Sequence, residues 1–129
     1  MRGGGTSIGR VRGLGSAKSG THHWWMQRLT AGSNLFLLLW FVLSLARLPN
    51  LDHATVIAWI GSPLVAVGII LLVGSVFWHF RLGLQVVIED YESNESRVFL
   101  LVLLNFFTVG TAALAIFAIL RIAFAGSAA

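Results

Sequence analysis

The chain has 129 residues, of which 57% are hydrophobic and 11% are charged, and its formal net charge is +4. A soluble domain has roughly a quarter of its residues charged, so this composition, with a mean hydropathy of +0.83, indicates an integral membrane protein. The chain contains no cysteine, which excludes disulfides and cysteine-ligated iron–sulfur clusters within it.

Residues 1–21 are predicted to form a flexible basic arm. This segment is rich in glycine, holds four basic residues and no acidic one, and lacks the apolar centre of a signal peptide. Because its charges lie on an extended arm beside a membrane span rather than on a folded polar face, we do not expect nucleic-acid binding. The arm and Arg28 together place the N-terminus in the cytoplasm by the positive-inside rule.

Residues 22–129 are predicted to form one all-α membrane domain. Its uncharged, mostly apolar runs cover residues 29–46, 54–80 and 98–120, and a bilayer core about 30 Å thick needs about 20 such residues of helix. Ser62 and Pro63 divide the second run, because serine is a common N-cap and proline suits the first helical position. The predicted spanning helices are about 24–47, 62–91 and 97–122, with a short interfacial helix over 54–61.

His79, in the second span, is the main candidate functional residue, because an ionisable group near the hydrocarbon is costly. At 100° per residue, His79 lies on the same helix face as six other residues, and together they form a stripe: Gly68, Leu72, Ser75, Gly83, Val86 and Asp90. The small residues Ser75 and Gly83 lie one turn on either side of His79. They leave room for a haem with His79 as its ligand, or equally for a neighbouring helix.

Polar residues at the predicted inner surface form a second group of candidates. Asp90 and Tyr91 end the second span, where they form either a binding site or ordinary interfacial residues. His22 and Arg28 lie at the start of the first span. Arginine there can bind carboxylates such as haem propionates bidentately, or it can act only as the positive charge that sets the orientation of the span. Arg81, nearly opposite His79 on the helix, either snorkels to the surface or alters the local field.

Two segments carry a more specific pattern. The first is Arg-Gly-Leu-Gly-Ser-Ala-Lys at 12–18 followed by His-His-Trp-Trp-Met-Gln-Arg-Leu-Thr-Ala at 22–31. The second runs from His79 through Gly83 and Gln85 to Asp90 and Tyr91. Together with the three predicted spans, the chain resembles the hydrophobic membrane anchor subunit of alphaproteobacterial succinate dehydrogenase over essentially its whole length.

The resemblance implies a four-subunit complex of the respiratory chain and the tricarboxylic acid cycle. A flavoprotein subunit oxidises succinate and an iron–sulfur subunit carries the electrons onward. This chain and a cytochrome b subunit, whose helices pack together, anchor both in the bacterial inner membrane and bind b-type haem and ubiquinone. The chain is therefore expected to be a multi-pass subunit of an oxidoreductase with no complete active site of its own.

The resemblance also implies residue roles. His79 is the axial ligand of the haem iron, with the other ligand supplied by the partner, and Ser75 and Gly83 lie where the haem packs. The resemblance also implies that Tyr91 and Asp90 lie at the quinone, and that Arg28 and His22 lie near the haem propionates. Two alternatives stay open: the anchor of a related fumarate reductase, and a haem-free membrane scaffold in which His79 is only hydrogen-bonded.

Overall fold

The computed structural model describes residues 7–8 and 19–125. The helices within 19–125 are α1 (Gly20–Ala46), α2 (His53–Gly61), α3 (Pro63–Tyr91) and α4 (Asn94–Ala125). Three of them, α1, α3 and α4, have 27, 29 and 32 residues and are long and apolar enough to cross a membrane. The predicted all-α fold with three transmembrane helices is therefore confirmed. Most of the predicted arm, residues 1–21, lies outside the described residues.

The connection between α1 and α3 is organised by two caps. Asp52 caps α2, where its carboxylate accepts a hydrogen bond of 2.8 Å from the backbone N–H of Thr55. Hydrogen bonds from the Thr55 side chain and backbone lower the pKa of Asp52, so the carboxylate stays ionised to lower pH than an unpaired one. Ser62 has extended backbone between α2 and α3, and Pro63 occupies the first turn of α3.

Helix α3 is central to the arrangement. It packs against α1 and against α4, whereas α1 and α4 do not pack against each other, and the short helix α2 covers parts of α3 and α4. The three spans therefore form an open layer rather than a closed bundle. Few side chains are buried within the described chain, and large apolar residues are exposed along every span, so most of the apolar surface is left for lipid or for other subunits.

The best-packed region lies near α2. Ala66, Ile69 and Ile119 form a buried cluster, against which Trp40 and other partly buried residues of all four helices pack. Gly68 allows α1 to approach closely here, because a Cβ at this position would lie within 2.9 Å of three carbons of the Trp40 ring. This contact fixes how α1 and α3 lie along each other.

We predict that Gly68→Ala will destabilise the protein, because the added methyl group must displace the Trp40 ring or α1. Overpacking of this kind costs about 1–3 kcal/mol, which should appear as a lower thermal unfolding midpoint in detergent. The matched control is Gly110→Ala, where a Cβ would meet nothing within 4 Å. Equal midpoints for the two variants would show that the Trp40 contact does not constrain the fold.

Candidate functional site

His79 lies where α3 meets α1. Its Nδ1 atom is 3.0 Å from the hydroxyl oxygen of Thr30, and Ser75, one turn earlier on α3, donates a hydrogen bond of 3.4 Å to the Thr30 carbonyl oxygen. Thr30 is buried, with 7% of its surface exposed, whereas His79 and Ser75 are partly buried. Two neighbouring members of the predicted stripe therefore meet the same residue of α1.

The hydrogen bonds of Thr30 favour one tautomer of His79. The Thr30 hydroxyl oxygen lies 2.7 Å from the Met26 carbonyl oxygen and 3.1 Å from that of Gln27, and its hydrogen is directed to them. A hydroxyl has one hydrogen to donate, so in this arrangement its oxygen accepts from His79. The proton is then on Nδ1 and the lone pair on Nε2, and Nε2 makes no hydrogen bond within residues 19–125.

The stripe around His79 divides into a covered half and an open half. Towards Gly68 and Leu72 the stripe is covered, because the Trp40 ring lies against Gly68 and Leu72 is buried. On the other side, a Cβ at Gly83 would meet nothing within 4 Å, and Asp90 is exposed. The space beside Gly83, one turn from His79, is therefore open.

These features fit a haem ligand. A metal-ligating histidine almost always donates its other ring N–H to an acceptor, and Thr30 provides that acceptor for Nδ1 of His79. Within the described part of the chain no group of three or more His, Cys, Asp or Glu side chains could hold a metal ion. A metal bound here would therefore rely on His79 and on ligands from outside residues 19–125.

The predicted quinone residues lie at the end of α3. Tyr91 is the last residue of the helix and 84% of its surface is exposed, and Asp90 is exposed beside it. Neither side chain makes a hydrogen bond or ion pair with another residue of 19–125. The twelve residues from His79 to Tyr91 correspond to about 18 Å along the helix, so the structure does not bring these groups together with His79.

The predicted propionate residues are also exposed. His22 is exposed near the start of α1, and the Arg28 guanidinium lies 5.5 Å from the centre of the Trp24 ring. Arg28 is two residues before Thr30, which places it about 200° around α1 and away from α3. The neighbouring His23 is partly buried instead, and its Nε2 atom is buried without a hydrogen-bond partner.

Arg81 faces α4 and not the surface. Its Nε donates a hydrogen bond to the side-chain oxygen of Asn105, and its guanidinium lies 5.1 Å from the centre of the Trp78 ring. Asn105 in turn donates a hydrogen bond of 2.8 Å to the Leu101 carbonyl oxygen. Arg81 therefore links α3 to α4, on the side of α3 opposite the link between His79 and α1.

We predict that Asn105→Leu will destabilise the protein, because it removes the acceptor that Arg81 uses within the span. Leaving a charged donor unsatisfied costs about 1–3 kcal/mol or more, measurable as a lower thermal unfolding midpoint. The double variant Arg81→Leu with Asn105→Leu should be more stable than Asn105→Leu alone, because no charge is then left unpaired. Additive effects of the two substitutions would show that the residues do not interact.

Sequence reasoning missed Thr30 and the pairing of Arg81 with Asn105. A signal for Thr30 existed, because it is a polar residue within the first predicted span and a hydroxyl in a span tends to bond to its own helix or to a neighbour. Pairing it with His79 required the relative position of two helices, which periodicity along one helix does not contain.

An open layer of three apolar helices, each long enough to cross a membrane, defines a multi-pass membrane protein. The family model of the succinate dehydrogenase/fumarate reductase transmembrane subunit matches residues 4–118. The chain belongs to this family.

Individual relatives agree with the family match. The chain is 35% identical over 105 residues to the succinate dehydrogenase hydrophobic membrane anchor subunit of Rickettsia bellii, covering 81% of this chain and 84% of that protein. It is 32% identical over 106 residues to the subunit of the same name from Rickettsia conorii, with the same coverage. For the subunit from Paracoccus denitrificans the identity is 30% over 113 residues, covering 86% of each chain. No solved structure gave a significant match.

The comparisons confirm the resemblance stated from the sequence. Together with the three apolar helices, they establish a multi-pass protein of the bacterial inner membrane that anchors succinate dehydrogenase. A subunit of this family works within a larger complex at the membrane.

Proposed function

We propose that this chain is the haem- and quinone-binding anchor subunit of succinate:ubiquinone oxidoreductase. Beside a cytochrome b subunit, it holds the flavoprotein and iron–sulfur subunits at the cytoplasmic face of the membrane, where its own N-terminus lies. It then forms part of the route by which electrons reach ubiquinone. The observation that carries this proposal is His79, whose Nδ1 is bonded to Thr30 and whose Nε2 makes no hydrogen bond within residues 19–125, one turn from the open space at Gly83.

His79 is the proposed ligand that this chain contributes to a b-type haem, which supplies reversible one-electron transfer when bound. The other three histidines, His22, His23 and His53, lie at or near helix ends, so any further protein ligand would come from the partner subunit. Gly83 leaves space one turn from the ring. Ser75 is held by its bond to α1, which keeps its side chain from projecting into that space.

Tyr91 and Asp90 are the residues that this chain contributes to the proposed quinone site. Both are exposed where α3 ends, at the predicted inner surface, where the iron–sulfur subunit can approach. The Tyr91 hydroxyl can donate a hydrogen bond to a quinone carbonyl oxygen. That oxygen becomes more negative during reduction, so the bond favours the reduced states.

Arg28 and His22 are proposed to meet the haem propionates. Both side chains are exposed near the start of α1, and the Arg28 guanidinium matches the geometry of a carboxylate. Because Arg28 lies on the side of α1 away from α3, this contact would form in the space between α1 and the partner subunit.

A fumarate reductase anchor is the second candidate, because the family model covers the transmembrane subunits of both enzymes. The relatives from Rickettsia and Paracoccus are named as succinate dehydrogenase subunits, which favours oxidation of succinate. A haem-free scaffold is the third candidate, and haem content separates it from the other two.

We predict that His79→Ala will remove or shift the b-type haem signal in a reduced-minus-oxidised optical spectrum of the purified complex. The reason is that the substitution removes the only histidine that lies away from a helix end in the described chain. His53→Ala is the matched control, because His53 is exposed at the start of α2. Wild-type complex without any haem signal would identify the chain as a haem-free scaffold.

We predict that Tyr91→Phe will slow quinone reduction by about 10- to 150-fold while leaving the haem spectrum unchanged. This range corresponds to the loss of a hydrogen bond to a charged group, about 1.5–3 kcal/mol. The measurement is succinate-dependent quinone reduction, with reduction of a water-soluble acceptor as the control for the other subunits. Unchanged quinone kinetics would exclude Tyr91 from the site.

A further inference from the structure

We propose that Thr30 is a positioning residue for the haem ligand: its hydroxyl oxygen accepts the Nδ1 proton of His79, fixes the tautomer and ring orientation, and strengthens Nε2 as an electron donor to iron. This inference rests on the proposed haem-binding function and adds to it a residue on a different helix. Thr30 would not touch the haem and would act through His79 alone.

The Thr30 hydroxyl is held in one arrangement. Its hydrogen is directed to the carbonyl oxygens of Met26 and Gln27, and its side chain is buried. Its carbonyl oxygen accepts a hydrogen bond from Ser75, which ties its backbone to the same turn of α3 that carries His79. The acceptor that faces His79 is therefore fixed by contacts on both helices.

The register of α1 against α3 supports this arrangement from a second point. The Trp40 ring lies against Gly68, about 16 Å along the helices from the pair of Thr30 and His79. Because the two helices are antiparallel, a shift of α1 would alter both contacts together. The close approach at Gly68 thus keeps Thr30 opposite His79.

The hydrogen bond has a defined electronic consequence. An acceptor at Nδ1–H draws the proton away from the ring and raises the basicity of Nε2, and the low-dielectric interior of the membrane strengthens this effect. A more basic ligand stabilises ferric iron more than ferrous iron. Thr30 is therefore expected to lower the haem midpoint potential.

The test compares Thr30→Val and Thr30→Ser in the complete complex. Valine keeps the shape of threonine and removes the acceptor, whereas serine keeps it. Thr108→Val is the matched control, because Thr108 is also buried in a span, with 4% of its surface exposed and its hydroxyl unpaired. The readouts are the haem midpoint potential, the electron paramagnetic resonance spectrum of the ferric haem, and the haem-to-protein ratio.

Thr30→Val is expected to raise the midpoint potential, to change the ferric spectrum and to weaken haem retention by about 10- to 100-fold in affinity, as for other partners of metal-ligating histidines. A tenfold change in the ratio of ferric to ferrous affinity corresponds to about 59 mV. Thr30→Ser should restore wild-type values, and Thr108→Val should not differ from wild type.

Wild-type potential and spectrum in Thr30→Val, with or without a loss of thermal stability, would overturn the inference and leave Thr30 as a packing residue. If Thr30→Val does not assemble, Thr30→Ala provides the same comparison, and an unchanged potential there has the same meaning. If His79→Ala loses haem while Thr30→Val changes neither the potential nor the spectrum, the inference about Thr30 is overturned and the proposed function stands. A haem-free wild-type complex overturns the proposed function as well.

Discussion

The structure depends on the cost of polar side chains within a membrane span. Lipid offers no hydrogen-bond partner, so such groups bond within the protein, and two of those in α3 bond to neighbouring helices. His79 finds Thr30 on α1, and Arg81 finds Asn105 on α4. These two links leave α3 in nearly opposite directions. Because apolar contacts between helices have little preference over contacts with lipid, the two polar links determine which faces of α1 and α4 meet α3.

The same links explain why the chain forms an open layer. α1 and α4 are held on different sides of α3 and do not pack together, so the space beside His79 and Gly83 stays open. A chain built this way has little interior of its own. Its exposed residues at the predicted inner surface, Tyr91 among them, are available to other subunits. The proposed function uses this arrangement, because it has the haem and the quinone shared with partner chains.

Part of the fold and of the candidate site could be predicted from the sequence, whereas the contacts between helices could not. Span number and the start of α3 at Pro63 follow from local signals, namely apolar runs and an N-cap followed by proline. The choice of His79 as a candidate residue follows from the cost of its position. Thr30 and Asn105 could not be assigned as partners, because periodicity gives the face of one helix but not the register between two. From the sequence, Arg81 either snorkels to the surface or alters the local field, and in the structure it donates a hydrogen bond to α4.

The most direct test of the central claim is an experimental density map of the complete complex at a resolution that shows side-chain orientation. The account predicts density for haem with Nε2 of His79 at the iron and Nδ1 within hydrogen-bond distance of the Thr30 hydroxyl. Iron bound through Nδ1, haem held without His79, or a Thr30 hydroxyl turned away from the ring would contradict it.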